Sequence, residues 1–331
     1  MILVMSQESY EFSTDEVQDW IEALGGDCVR LNGEDVTGSE PYALRLDDAG
    51  EALEFRLDGR PVRHAEVGAV WLRRWHQLRA LGPVTQDAGL RRDVQSHLAR
   101  EVMATSASIF GMLGGARWLS HPETRRVNKL RALRAARDAG LAIPATLLTN
   151  DKRTLQAFMA AHPDVITKCV GDADMLNVEG RTFGMYTARL SAEDVDALPD
   201  TFFPSLVQEM VEKSCELRVF YLDGECWPMA IFSQNDAQTA VDFRRYNVER
   251  PNRTVPYRLP AEVEAAVRRF METMRLDTGS LDLIRTPDGR HVFLEVNPAG
   301  QFAMVSEPCN YPLHRRVAEY LIRRDERDHQ D

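Results

Sequence analysis

The strongest constraint on the fold is a pair of Asp-Gly dipeptides, each placed between two apolar runs in the last third of the sequence. Both residues of such a dipeptide adopt positive φ at little energetic penalty, which favours a tight antiparallel hairpin. We therefore predict two β-hairpins, with turns at Asp223-Gly224 and Asp288-Gly289. The predicted strands are Glu216–Tyr221 with Trp227–Phe232, and Leu281–Ile284 with Val292–Val296.

The second hairpin places two acidic side chains opposite one another. If Asp288-Gly289 is a two-residue loop, Asp282 faces Glu295, and Asn297 lies on the same face of the strand. Like charges directly opposite destabilise a hairpin, so the pair implies a cation between them. Carboxylate and amide oxygens are hard ligands that suit Mg²⁺ with phosphate oxygens. The apolar face is predicted to consist of Leu281, Leu283, Leu294 and Val296.

A second interpretation of the same residues stays open. Asp282 and Glu295 are equally compatible with ordinary solvated positions on an outer face of the sheet. A register change of one residue would also remove the pairing, because it moves every side chain to the other face.

The rest of the sequence predicts a mixed α/β architecture of about two or three domains for 331 residues. An N-terminal α/β domain over 1–120 begins with a strand at Ile2–Met5 and a helix capped by Ser13-Thr-Asp-Glu16. An α+β lobe follows over 121–210, and a second lobe with the two hairpins occupies 211–331. Further predicted strands are Cys28–Leu31, Ala43–Leu46, Leu53–Leu57, Val67–Leu72, Thr146–Leu148, Val165–Val170, Phe183–Arg189 and Leu206–Val211. Helices are predicted over about 91–110, 124–139, 150–161 and 261–275 and from about 313 onward.

Charge and cysteine usage narrow the class of protein. The net charge of −11 argues against sequence-independent nucleic-acid binding. Five cysteines without C-x-x-C spacing indicate reduced thiols in a cytoplasmic protein. We expect neither a signal peptide nor a membrane span, since no apolar run is long enough. The histidines show no His-x-x-x-His spacing, which disfavours a zinc site.

Lysine is scarce: only four of the 40 basic residues are Lys. Lys168 lies in a strand-like apolar run, where a charge needs an anionic partner such as phosphate, or else marks the edge of a sheet. Lys129 begins an Arg-rich helix, where a solvated position is the simpler interpretation. Lys152 and Lys213 are assigned surface roles.

The order of these residues resembles the ATP-grasp superfamily. The matching positions are Lys129, Lys168, Gln208-Glu-Met-Val211, Asp282 and Glu295-Val-Asn297. Further segments resemble the ATP-grasp ribosomal peptide maturases that make graspetides, of the grasp-with-spasm type. These segments are Met1–Glu34, Val70–Arg74, Glu216–Tyr221, Met229–Gln234, Asp242–Arg244, Pro251–Pro256, Thr278–Asp282 and Phe293–Phe302. One departure is Cys169, which stands where such proteins commonly have Pro after the strand lysine.

The resemblance implies an ATP-grasp fold with an N-terminal pre-ATP-grasp domain, and an activity. Such enzymes use ATP and Mg²⁺ to activate Asp or Glu side chains of a ribosomal precursor peptide as acylphosphates. A Ser or Thr hydroxyl or a Lys amine of the same peptide then attacks, giving an ω-ester or ω-amide macrocycle. The implied partners are a precursor peptide with a leader and an acidic core, a SPASM-type radical enzyme in the same pathway, and a second copy of the chain.

The resemblance also implies roles for individual residues. Lys129 and Lys168 bind the nucleotide phosphates, and the metal ligands are Asp282, Glu295 and Asn297. Arg218 and Arg244 face the phosphates and the acylphosphate, for which the planar guanidinium fork is suited. The remaining nucleotide-binding residues are Gln208, Glu209, Met210, Val211 and Glu216.

Three alternatives stay open. Arg244 has arginine neighbours and is compatible with a plain surface position. Arg73 and Arg74 either clamp acidic side chains of the peptide or form a solvated strand end. The whole chain could instead be an ATP-grasp ligase for free amino acids or a protein tail, or a nucleotide-binding module without catalysis.

Overall fold

A computed structural model describes residues 1–8, 11–38, 40–57, 59–75, 87–171, 175–178, 181–184, 186–236, 238 and 247–326. The described part of the chain has eight α-helices. They are α1 (Phe12–Ala23), α2 (Ala88–Met112), α3 (Lys129–Asp138), α4 (Lys152–Ala161), α5 (Ala192–Asp196), α6 (Ala261–Met274), α7 (Ala303–Cys309) and α8 (Leu313–Glu326).

Eighteen strands are present in the same residues. The first seven are β1 (Ile2–Ser6), β2 (Cys28–Asn32), β3 (Tyr42–Asp47), β4 (Gly50–Leu57), β5 (Arg60–Arg63), β6 (Ala69–Leu72) and β7 (Arg117–Leu119). The next six are β8 (Thr146–Asp151), β9 (Val165–Lys168), β10 (Met175–Val178), β11 (Arg181–Gly184), β12 (Ala188–Arg189) and β13 (Thr201–Glu209). The last five are β14 (Cys215–Leu222), β15 (Glu225–Phe232), β16 (Arg253–Pro256), β17 (Thr278–Arg285) and β18 (His291–Asn297).

The chain forms two compact units. The first contains residues 1–125, 301–306 and 312–331, and the second contains 126–300 and 307–311. The boundaries 1–120, 121–210 and 211–331 stay a prediction.

The first unit is built on a four-stranded parallel sheet in the order β2-β1-β6-β7. Its central strand β1 is a continuous apolar run and is fully buried, as expected for a parallel sheet covered on both faces. A separate antiparallel sheet has the order β3-β4-β5. The predicted strands of this region are present, and α2 covers the helix predicted over 91–110.

The predicted capping box at the start of α1 is wrong. The helix begins at Phe12 with Glu11 at the N-cap, so Ser13 lies inside the first turn. The Glu11 carboxylate instead lies beside Arg73 and Arg74, and the Thr14 hydroxyl donates to it.

The second unit contains two larger antiparallel sheets and the β10-β11 hairpin. The central sheet has the order β12-β9-β13-β8, and the C-terminal sheet has the order β16-β15-β14-β17-β18. Helices α3 and α6 supply buried residues to one core with the apolar face of the C-terminal sheet. Because side chains alternate between the faces of a sheet, Arg218, Asp282 and Glu295 lie on the opposite face.

Several element boundaries differ from the sequence prediction. The helix predicted from 124 begins at Lys129 because the side chain of Asn128 caps it by accepting from the Arg131 N–H. The helix predicted from about 150 begins at Lys152 for the same reason, with Asp151 at the N-cap. The predicted strand 183–189 divides into the ends of β11 and β12.

Two further predictions can be compared with the described residues. All five cysteines are free thiols, as predicted. No described helix is both long and apolar enough to cross a membrane.

Candidate nucleotide and metal site

The two predicted hairpins both form, and the first is regular. Strands β14 and β15 pair without interruption from Glu216–Ile231 to Leu222–Glu225. Asp223 and Gly224 have φ of 47° and 92°, the two positive values that a two-residue turn of this kind requires.

The second hairpin has a longer loop and a bulge. Thr286 N–H donates to the Arg290 carbonyl, so the loop is the three residues Pro287, Asp288 and Gly289. Pairing from Arg285–His291 to Leu283–Phe293 is displaced by one residue from the two-residue prediction. An irregularity at Leu294 then shifts the register back.

The two displacements cancel, so Asp282 does face Glu295. The assumed two-residue loop was nevertheless wrong, and it misplaced one residue of the apolar face. Phe293, which is fully buried, takes the core position predicted for Leu294, which is half-buried. The signal that could have found the longer loop is Pro287, which favours the second position of a turn ending in Asp-Gly.

Three charged residues form a row across neighbouring strands of the C-terminal sheet. Arg218 on β14 pairs with Asp282 on β17, which pairs with Glu295 on β18. The Nη1 atom of Arg218 donates to both carboxylate oxygens of Asp282 at 2.8 Å. Arg218 Nε is buried and has no hydrogen-bond partner among the described residues, so one donor remains for a bound anion.

Lys129 connects this row with the end of β9. Its Nζ atom donates to the Cys169 carbonyl at 2.9 Å and lies 3.9 Å from Glu295 Oε2. Cys169 directly follows Lys168, so the two predicted phosphate-binding lysines belong to one neighbourhood. The first residue of α3, for which the sequence also allowed a plain solvated role, is therefore tied to the carboxylate row.

The other predicted nucleotide-binding residues follow the central sheet. Lys168 pairs with Leu206 and Gln208 pairs with Ile166, so Lys168 and Gln208 share one face of that sheet. Gln208 Nε2 donates to Thr146 Oγ1 at 2.8 Å, whereas its Oε1 is buried without a hydrogen-bond partner in the described chain. A buried acceptor of this kind suits a bound donor such as an amino group.

The segment after Gln208 leaves the sheet. Strand β13 ends at Glu209, whose carboxylate accepts from the Ala145 N–H at 3.1 Å. Met210 and Val211 are half-buried and lie beyond the strand.

Glu216 lies in a buried polar cluster that sequence analysis missed. Its Oε1 atom accepts from Lys213 Nζ and Ser233 Oγ, both at 2.6 Å. Burial raises the pKa of the Glu216 carboxyl, an effect opposed by the nearby charge of Lys213. The surface role assigned to Lys213 is wrong, because its side chain is only 9% exposed. Two sequence signals could have indicated this role for Lys213: the scarcity of lysine in the chain and its spacing of three residues from Glu216.

Two predicted residues remain, Lys152 and Arg244. Lys152 donates from Nζ to the carbonyls of Asp196 and Leu198, a structural role at the end of α5. Arg244 lies outside the described residues.

The loop after β18 is held tightly against β17. Asn297 Oδ1 accepts from the Ala299 N–H, and the Gly300 N–H donates to the Asn297 carbonyl. A Cβ at Gly300 would lie 2.4 Å from the Ser280 Cβ, so only glycine fits there. Asn297 therefore has a fixed position next to the carboxylate pair.

The donor set fits Mg²⁺. Asp282, Glu295 and Asn297 supply two carboxylates and an amide oxygen from one face of one hairpin, and these are hard ligands. No group of three or more His, Cys, Asp or Glu side chains that could hold a metal occurs among the described residues. Mg²⁺ held by these residues would take the rest of its ligands from phosphate or water, as it commonly does.

Comparison with known proteins identifies the N-terminal domain and the fold. Residues 1–126 match the family model of the MvdD pre-ATP grasp domain. The chain has the ATP-grasp fold with this domain at its N-terminus, as predicted. No curated protein matches the sequence.

Solved structures then give particular similarities. One is a Chryseobacterium gregarium RiPP-associated ATP-grasp ligase in complex with ADP and a leader and core peptide (TM-score 0.85, 22% identity, 97% of this chain and 96% of that one). Another is the macrocyclase MdnC bound with precursor peptide MdnA from Microcystis aeruginosa MRC (TM-score 0.82, 25% identity, 97% and 99%). A third is the ATP-grasp ligase PsnB complexed with minimal precursor, Mg and ADP (TM-score 0.77, 21% identity, 98% and 97%). The predicted likeness to ATP-grasp peptide maturases is confirmed.

Proposed function

We propose that this chain is an ATP-dependent ligase that cyclises a ribosomal precursor peptide. A peptide Asp or Glu carboxylate attacks the γ-phosphorus of ATP, which forms an acylphosphate and releases ADP. A Ser or Thr hydroxyl or a Lys amine of the same peptide then attacks the acyl carbon, and phosphate leaves. Each cycle forms one ω-ester or ω-amide link.

The observation that carries the proposal is the row Arg218–Asp282–Glu295 with Lys129 at its end. Phosphoryl transfer depends mainly on positioning and on neutralising charge, and this row combines cations with metal-binding carboxylates. The likeness to ligases whose structures contain peptide, ADP and Mg supports ATP and Mg²⁺ as cofactors.

The residues divide the work by their chemistry. Lys129 and Lys168 neutralise the nucleotide phosphates, and Arg218 binds the transferred phosphoryl group through its buried Nε. Arg244 is assigned to the acylphosphate. The segment Gln208–Val211 receives the adenine, and Glu216 contributes to the nucleotide site from the buried cluster with Lys213.

Asp282, Glu295 and Asn297 would hold Mg²⁺. When bound, the ion supplies charge neutralisation between the phosphates and the attacking carboxylate. Arg218 then has a second function, since it orients the Asp282 carboxylate through two hydrogen bonds.

We also propose the wider setting that the resemblance implied. The chain acts in the cytoplasm as a homodimer, on a precursor with a leader and an acidic core, in a pathway that includes a SPASM-type radical enzyme. Its residues are divided among a pre-ATP-grasp domain (1–120) and two ATP-grasp lobes (121–210 and 211–331). Light scattering of the purified chain tests the dimer, and the neighbouring reading frames test the precursor and the radical enzyme.

The direct test is a cyclisation assay. The purified chain is incubated with ATP, Mg²⁺ and a short Ser/Thr- and Asp/Glu-containing peptide chosen from the reading frames that neighbour its gene. We expect peptide-dependent ADP release and a product lighter by one water for each link, with the ring located by tandem mass spectrometry. The Asp282→Asn variant is the matched control and should give an unchanged peptide.

Other outcomes would replace the proposal. ATP turnover driven by free amino acids or a protein tail, with the peptide unchanged, would identify a ligase of another substrate class. Nucleotide binding without any turnover would identify a non-catalytic module.

A further inference from the structure

A buried ion cluster lies at the carboxyl edge of the parallel sheet in the first unit. Arg73 directly follows β6, and its N–H donates to the Met5 carbonyl of β1. Glu11 caps α1 after β1. The side chains of Arg73 and Glu11 are 3% and 2% exposed, whereas Arg74 is 29% exposed. The solvated strand end that the sequence left open is therefore excluded for Arg73.

The Glu11 carboxylate is occupied from both sides. Arg74 Nε lies 2.6 Å from Oε1, and Arg73 Nε lies 3.5 Å from Oε2. The Thr14 hydroxyl also donates to Oε2 at 3.1 Å. The Arg73 guanidinium lies over the Phe302 ring, 5.6 Å from its centroid. Glu11 thus holds both arginines in place.

Two further arginines lie near Arg73. Burial and the nearby charges of Arg74 and Arg125 together lower the pKa of Arg73 to about 10, against the opposing effect of Glu11. Clustered cations raise the local positive potential, which favours an anion beside them.

Arg74 is placed to receive an anion. Within the described residues it meets Glu11 through Nε, which leaves both η-nitrogens for another partner. The carboxyl edge of a parallel sheet is also where α/β sheets bind their ligands. At the same edge, Ser120 directly follows β7 with φ of 67°, a conformation rarely kept by a residue other than glycine without a reason.

We propose that Arg74, oriented by Glu11 and supported by Arg73, binds an acidic side chain of the peptide substrate. The identification of the ligand as a peptide rests on the proposed function. An arginine fork matches carboxylate and phosphate alike, so the choice between them needs a further argument. The nucleotide phosphates already have Lys129 and Lys168 in the second unit, and the peptide supplies the carboxylates.

The test measures binding of two peptides by calorimetry. One is the acidic precursor, and the other is its isostere with core Asp and Glu replaced by Asn and Gln. We expect Arg74→Gln to weaken the acidic peptide by roughly tenfold to a hundredfold, the effect of one lost charged hydrogen bond. The isostere should bind wild type and variant alike, and ADP affinity should not change.

Two further variants separate charge from geometry. Arg74→Lys keeps the charge without the fork and should lose less affinity than Arg74→Gln. Arg60→Gln removes an exposed arginine of the same unit that is paired with Asp27, and it should have no effect. Binding of the acidic peptide to Arg74→Gln with wild-type affinity would overturn the proposal.

The anion site stays testable if the proposed function fails. Should wild type bind no acidic peptide, thermal unfolding is followed with N-acetylglutamate and with inorganic phosphate. Stabilisation of wild type but not Arg74→Gln by N-acetylglutamate supports the carboxylate site independently of the peptide. Stabilisation by phosphate alone, or by neither, overturns it.

Discussion

The two Asp-Gly hairpins begin from the same sequence signal and end with different geometry. The first keeps one register along its whole length, with a two-residue turn. The second has a three-residue loop and a bulge at Leu294. The irregular hairpin is the one that carries Asp282 and Glu295. Bulges are common beside functional sites because they re-aim side chains, and here the bulge restores the acidic pair.

The two hairpins also differ in how their charged side chains are paired. Across the first hairpin, Arg218 lies opposite Met229 and makes no charged pair within that hairpin. Across β14 and β17 the same residue meets Asp282. The first hairpin therefore supplies a cation, Arg218, to the acidic pair of the second.

The largest expected effect comes from neutralising the acidic pair. Asp282→Asn and Glu295→Gln should each lower peptide-dependent ATP turnover by at least about a hundredfold, because each removes charge that positions the phosphates. Melting temperature should change little. The matched change in the first hairpin is Glu225→Gln at an exposed position, which should leave turnover intact. Normal turnover in both site variants would contradict the metal assignment.

Removing a phosphate-binding lysine should have the next largest effect. Lys168→Ala is expected to weaken ADP binding by roughly tenfold to a hundredfold, since it loses a charged contact. Calorimetry measures this directly. Lys152→Ala is the control, because that lysine donates to the carbonyls of Asp196 and Leu198. Equal affinities in wild type and Lys168→Ala would refute the role of Lys168.

A smaller effect should distinguish the loop that follows the second hairpin from the turn of the first hairpin. In Gly300→Ala the new Cβ would lie 2.4 Å from the Ser280 Cβ and displace the loop that holds Asn297, at about 1–3 kcal/mol. Turnover should fall, and the added Ser280→Gly change should restore it. Gly224→Ala in the first hairpin has open space but φ of 92°, so it should cost about 1 kcal/mol without loss of turnover. Equal turnover in Gly300→Ala and Gly224→Ala would contradict this difference.

The smallest effect concerns how the stability contributed by the loop of the second hairpin depends on pH. The Thr286 hydroxyl and the Arg290 guanidinium bond the Asp288 carboxylate and lower its pKa to about 2 from an ordinary 3.8. A depressed pKa means that the ionised group stabilises the fold at higher pH and that this stability is lost as pH falls. The melting-temperature difference between wild type and Asp288→Asn should therefore shrink between about pH 4 and pH 2. A difference that stays constant over this range would argue against the lowered pKa.

The sequence predicted the structure well where local residue types alone determine the backbone conformation. Asp-Gly dipeptides predicted both hairpins, and the continuous apolar run of Ile2–Met5 predicted a buried strand. The Asp282–Glu295 pair was also predicted, although two deviations of one residue happened to cancel.

Sequence analysis failed where tertiary contacts decide. Nothing in the local sequence indicates that Glu11 contacts Arg73 and Arg74. The sequence pattern instead placed the start of α1 at the Ser13–Glu16 capping box, although the helix begins after Glu11. Likewise, the burial of Lys213 depends on Ser233 and Glu216 coming together across strands. The link from Lys129 to Glu295 joins residues that are distant in sequence, and only the folded chain brings them together.

The most direct test of the metal-and-phosphate site is the Mg²⁺ dependence of ADP binding, measured by calorimetry on wild type and Glu295→Gln. We expect Mg²⁺ to tighten ADP binding to wild type and to have little effect on the variant, since Glu295 is assigned to the ion. Glu225→Gln in the first hairpin should behave as wild type. The same gain in affinity on adding Mg²⁺ to Glu295→Gln as to wild type would contradict the assignment of the metal to the second hairpin.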